Sequence, residues 1–188
     1  MMPSMALTTS KGLPIGSPAP TFSGLEGVDG ARHDFDEYSD ARALVVVFTC
    51  NHCPVSIAYE DRLIALDHDY QPRGVQIVAI NPNDAQRYPD DSLEEMKKRA
   101  ATKGFAFPYL QDATQEVARA YQAACTPDPF VFDWRGQLVY NGRIDDSWQD
   151  EGSITSRDLR KVLDKTLSGE RIGFEPKPAM GCAIKWKP

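Results

Sequence analysis

The sequence predicts one α/β domain, a central mixed sheet flanked by helices. Three observations predict it. Residues 43–48, Ala-Leu-Val-Val-Val-Phe, form an apolar, β-branched-rich run, the pattern of a strand buried on both faces. After residue 53, Val55, Tyr59, Leu63, Leu66 and Tyr70 recur every three or four residues, which gives a helix one apolar stripe. Gly74 ends that unit, and residues 75–80 form a second apolar run. A strand, a helix and a strand in this order imply parallel neighbours joined by a right-handed crossover.

The remaining elements follow in order. Residues 1–15 read as a flexible start, 16–168 as the domain and 169–188 as a tail that docks through Phe174, Cys182, Ile184 and Trp186. Residues 19–36 hold strand-like pieces broken by Gly24, Gly27 and Gly30, consistent with a hairpin. Residues 81–91 read as a polar loop, and the acidic runs 84–91 and 145–151 as solvated. Ser92, with Glu95 three residues on, can cap a helix running to about residue 103. A short strand over 107–110, a short helix over 115–121 and a constrained loop over 125–129 come next. A hairpin follows over 130–133 and 137–144, then a last helix over 156–167.

Composition narrows the function. The chain has 188 residues, 41% hydrophobic and 26% charged, enough to bury a core. A net charge of −6 argues against a nucleic-acid partner. The longest apolar run is too short to span a bilayer. The opening MMPSMALTTSKGLP has neither a basic n-region nor a continuous apolar h-region. The expectation is a cytoplasmic protein with no membrane partner. Oligomeric state is left open.

The chemistry concentrates at Cys50-Asn51-His52-Cys53, between the first strand and the helix. Backbone N–H groups at a helix N-terminus stabilise a thiolate and lower its pKa. Cys50 is assigned as the attacking thiol and Cys53, three residues on, as the resolving one. A protonated His52 would favour the thiolate further. Cys125 lies two residues before Pro127, either as a packed loop thiol or as a further redox or ligand group. Cys182 sits on the tail, where a structural role competes with a redox one. Four cysteines in a chain of this length do not make a disulfide framework.

This order of elements resembles the thioredoxin fold, and the N-terminal hairpin and the helix inserted after Ile80 look like its peroxiredoxin branch. More narrowly, FTCNHCP (48–54), VAINPND (78–84), TPD and FVFD (126–133) and GRIDDS (142–147) resemble the peroxiredoxin-like thioredoxin-family proteins. The resemblance implies a cis-proline facing the Cys-x-x-Cys, a position matched by Pro127 with Thr126 before it. The backbone there can pair with a bound thiol substrate in strand fashion. It implies a thiol–disulfide oxidoreductase without a cofactor, acting on protein or small-molecule thiols and disulfides. The chain departs from the pattern at Leu44, where thioredoxins carry a buried acid. With Cys53 aligned to the peroxidatic cysteine, Cys50 takes the place of the peroxiredoxin threonine, and residues 126–130 contain no arginine. Three alternatives stand beside this reading. One is an antioxidant peroxidase with Cys53 peroxidatic and peroxide as substrate. Another is a metal site built from Cys50, Cys53 and Cys125 with His52 or Cys182. The last is a non-catalytic thioredoxin-like binding module.

Overall fold

The computed structural model describes residues 6–188. A seven-stranded mixed sheet forms the centre, built from β2 (Leu25–Gly27), β3 (Arg32–His33), β4 (Ala43–Phe48), β5 (Val75–Asn81), β6 (Tyr109–Gln111), β8 (Asp128–Asp133) and β9 (Leu138–Asn141). Its strand order is β3-β2-β6-β5-β4-β8-β9. β4 runs parallel to β5, from Ala43 opposite Val75 to Phe48 opposite Ile80. It runs antiparallel to β8. The β2–β3 hairpin pairs Leu25 with His33.

Both faces of β4 are buried, and its side chains divide by parity, as a two-residue period requires. Ala43, Val45 and Val47 join one core with α1 (Pro54–Tyr70), α2 (Leu93–Lys103) and α4 (Asp158–Ser168). Leu44, Val46 and Phe48 join the other, with Phe130, Phe132 and residues of α3 (Glu116–Ala120). In the first core Tyr59, Leu63 and Leu66 of α1 meet Leu159, Val162 and Leu163 of α4. In the second, Phe130 stands edge-on to Phe48 at 5.9 Å and to Tyr121 at 5.3 Å between ring centres. Ser92 caps α2 by accepting the Glu95 N–H. Among the described residues, no helix is long and apolar enough to cross a membrane.

The chain ends depart from the sequence expectation. Residues 1–5 of the flexible start lie outside the described residues. Leu7–Thr9, also read as flexible, instead form β1, because the C-terminal strand offers them a ladder. That strand, β10 (Met180–Ala183), pairs antiparallel with β1 on one side and with β7 (Cys125–Thr126) on the other. The expected constrained loop at 125–129 is therefore two strand pieces, β7 and the start of β8, interrupted at Pro127. The acidic runs are not wholly solvated either. Asp84, Asp91 and Asp145 are buried, each satisfied by donors. Asp145, for example, accepts from Arg62 at 2.8 Å and from Tyr59 at 3.0 Å. A buried carboxylate persists only with such partners.

Phe130 anchors the second core, so Phe130→Ala is expected to cost about 3–5 kcal/mol of stability in urea unfolding. A loss under about 1 kcal/mol would show that this face is not closely packed.

Candidate active site

The strand β4 leads to Cys50, two residues past its C-terminal end, and α1 begins four residues after that cysteine. Cys53 is the N-cap of α1, with Pro54 in its first turn. Facing them is the Thr126–Pro127 peptide bond, which is cis. Cys50 Sγ and Thr126 Oγ1 are hydrogen-bonded at 3.2 Å. Cys53 Sγ lies 3.3 Å from the Thr126 carbonyl oxygen. The structure thus brings Cys50, Cys53, Thr126 and Pro127 together.

Cys53 is bonded to Cys182 of β10, while Cys50 and Cys125 are free and buried. The sequence did not point to this pairing. It joins cysteines 129 residues apart in the chain and requires the tail to lie along β7. With Cys53 in a disulfide, the set Cys50, Cys53 and Cys125 cannot act together as metal ligands. Cys125 Sγ points instead at the carbonyl oxygens of Pro127 and Ala179, 3.7 and 3.8 Å away. Burial, then the nearby Asp128 carboxylate, push its pKa up.

The expected lowering of the Cys50 pKa does not occur. Burial, then the charge of Asp91, push it up to about 11. Three groups oppose this rise: Thr126 Oγ1, the Cys53 N–H and the Ser56 hydroxyl. Ser56 Oγ is buried with no hydrogen-bond partner of its own, so it stands ready to donate to a thiolate. The helix end does favour the charged sulfur, but a sulfur 2% exposed loses more solvation than these donors return.

Asp91 is the residue that sequence reasoning missed. It ends the turn before α2 and is fully buried. Its carboxylate accepts from His52 Nδ1 at 2.5 Å, the Asn51 N–H at 2.7 Å, Asn83 at 2.9 Å and Asn81 at 3.2 Å. Burial alone would raise its pKa. The hydrogen bonds from His52, Asn83 and Asn51 hold it below the usual carboxylate range. Asp91 thereby pins both residues between the cysteines, and Tyr109 adds a hydrogen bond to Asn51 Oδ1 at 2.9 Å. His52 also stacks on Tyr88, 5.3 Å between ring centres. One ligand atom each from Cys50, His52 and Asp91 lie within 4.8 Å of one another. Four donors already engage the carboxylate, which leaves it little capacity to ligate a metal. Leu44 keeps the apolar place noted in the sequence, and the buried acid comes from a different segment. Its signal was available in the Asn-Pro-Asn-Asp stretch before it, since Asn81 and Asn83 are its donors.

A cavity of about 250 Å³ opens beside Pro127, lined also by Tyr59, Arg143, Trp148 and Met180. The guanidinium of Arg143 is committed to Asp158 at 2.6 Å.

Removing the Asp91 charge should let Cys50 ionise more readily. In Asp91→Asn, alkylation of Cys50 by iodoacetamide is expected to gain its reactivity at lower pH, with a severalfold faster rate at pH 9. An unchanged pH profile would mean that Asp91 does not act on this sulfur.

Residues 15–141 match the model of the AhpC/TSA family. The chain is 26% identical over 133 residues to the thiol-disulfide oxidoreductase ResA of Geobacillus thermodenitrificans, covering 70% of each chain. Among solved structures it is similar to an uncharacterized conserved protein from Geobacillus kaustophilus, at 45% identity, TM-score 0.93 and 98% of both chains. A hypothetical protein from Sinorhizobium meliloti is similar at 39% identity and TM-score 0.91, over 96% of this chain and 98% of that one. A putative thiol:disulfide interchange protein DsbE from Chlorobium tepidum shares the fold at TM-score 0.63 and 19% identity, over 86% of this chain and 99% of that one. A cysteine pair facing a cis-proline, a seven-stranded mixed sheet and these matches agree: the chain belongs to the AhpC/TSA family and has a thioredoxin-like fold.

Proposed function

We propose that this protein is a thiol–disulfide oxidoreductase that works through Cys50 and Cys53. The observation that carries this reading is a free thiol, Cys50, and a disulfide sulfur, Cys53, set against the same residue, Thr126. A thiolate on Cys50 attacks one sulfur of a substrate disulfide and releases the other as a thiol, leaving a mixed disulfide. Cys53, when reduced, then attacks Cys50 Sγ, frees the substrate thiol and closes the Cys50–Cys53 bond. The substrate leaves with two electrons and the protein is oxidised by two.

A buried sulfur with a raised pKa needs help to ionise. In this reading His52, oriented by its hydrogen bond to Asp91, takes the Cys50 proton, and Thr126, Ser56 and the Cys53 N–H hold the thiolate. Thiols and disulfides, of protein or small-molecule kind, are the substrate class that fits, and the ResA likeness supports it.

A second reading draws on the partner of Cys53. A sulfur at a helix N-cap, bonded to a distant cysteine, also suits a peroxidase in which Cys53 becomes a sulfenic acid and Cys182 resolves it. One comparison separates the two. The fully reduced protein is mixed with hydrogen peroxide or with oxidised glutathione, quenched in acid and mapped by peptide mass spectrometry. Fast reaction with glutathione and slow reaction with peroxide support exchange. A dimedone-trapped sulfenic acid on Cys53 at low peroxide supports the peroxidase. In the exchange reading Cys50→Ser abolishes disulfide-reductase turnover, and Cys53→Ser accumulates a mixed disulfide on Cys50. Full turnover by Cys50→Ser would remove the assignment.

A further inference from the structure

The C-terminal strand lies where an incoming peptide would. β10 adds antiparallel to the two-residue edge before Pro127, with Cys182 in register with Thr126. The approach is very close. A Cβ on Gly181 would stand 2.1 Å from the Thr126 carbonyl oxygen and 3.1 Å from Pro127 N, so a glycine must precede this cysteine. The strand is also held without the disulfide. The Ile184 N–H donates to Ala124 O at 3.2 Å, the Lys185 N–H to Asn83 Oδ1 at 2.9 Å and the Lys187 N–H to Gln115 Oε1 at 2.9 Å. The Ile184 side chain is buried in the second core, and Arg119 covers Trp186 at 4.5 Å. Cys182 therefore stays beside Cys53 whether or not they are bonded.

We propose that Cys182 is a third redox cysteine, and that Cys53 exchanges between it and Cys50. The inference rests on the oxidoreductase reading above and adds an internal partner to it. In the oxidised protein, Cys50 loses its proton and attacks Cys53 Sγ. The Cys50–Cys53 bond forms, the Cys53–Cys182 bond breaks, and Cys182 leaves as a thiolate that takes up a proton. No electrons are gained or lost overall. The reverse step stores the disulfide on the strand and leaves Cys50 as a free thiol. The Gly-Cys of β10 acts as a built-in substrate, and Thr126 touches the sulfurs of Cys50 and Cys53 while its backbone pairs with Cys182.

The test uses the full-length oxidised protein with no external reductant. It is incubated at pH 9 with N-ethylmaleimide, quenched in acid and mapped by peptide mass spectrometry. Exchange predicts alkylated Cys182 on chains carrying a Cys50–Cys53 bond, at about ten times the level seen in oxidised Cys50→Ser. Equal labelling of Cys182 in the two proteins would show a static cross-link and overturn the proposal. Cys182→Ser separates this failure from failure of the underlying reading. If it forms a Cys50–Cys53 disulfide with oxidised glutathione while wild-type Cys182 labels no more than in Cys50→Ser, the oxidoreductase stands and the relay falls. If it forms no such disulfide, both fall.

Discussion

Thr126 sets the geometry on which the site depends. Its hydroxyl meets Cys50, its carbonyl oxygen meets Cys53, and its backbone pairs with Cys182. The residue is fixed because β7 is locked between β10 and the beginning of β8, itself paired with β4 at the centre of the sheet. Cys50 lies two residues past the end of that same β4, and Thr126 two residues before the start of β8. The two walls of the site are therefore short extensions of paired strands, Phe48 standing opposite Asp128, and that pairing sets their spacing. Sites carried on such rigid elements hold their groups more closely than sites on loops.

A second organising group is the carboxylate of Asp91. It gathers the backbone and side chains of the two residues between the cysteines and links them to Asn81 and Asn83 at the end of β5. Asn83 also accepts from the Lys185 N–H. One polar network thus joins the Cys-x-x-Cys loop, the β5 end and the C-terminal segment. Its members are nearly all satisfied, which is the condition under which a buried polar network stiffens a structure instead of weakening it.

Much of this was legible in the sequence. The apolar runs of β4 and β5, the stripe of α1 and the Ser92 cap are local patterns, and each produced the element it implied. Cys50, Cys53, Thr126 and Pro127 could be named because motif spacing and a proline mark them. Asp91 was lost among exposed-looking acids, since what distinguishes it is four donors drawn from other segments. The Cys53–Cys182 bond was lost for a similar reason. It depends on a four-residue strand whose partners, β1 and β7, are themselves only three and two residues long, and strands that short leave little periodic signal. The direction of the Cys50 pKa was misjudged because a helix terminus can be read from sequence, whereas the depth of burial cannot.

Burial of Cys50 has a consequence for the lifetime of the protein. A sulfur 2% exposed, and protonated at neutral pH because its pKa is raised, offers little to a diffusing oxidant, since damage to cysteine follows thiolate character and access. The irreversible steps to sulfinic and sulfonic acid begin from an exposed, ionised sulfur. Cys53, the sulfur at the helix end, is meanwhile shielded by its bond to Cys182. Between encounters neither cysteine of the motif is left open to wasteful oxidation, and a chain stored in the disulfide form keeps its reactive centre intact.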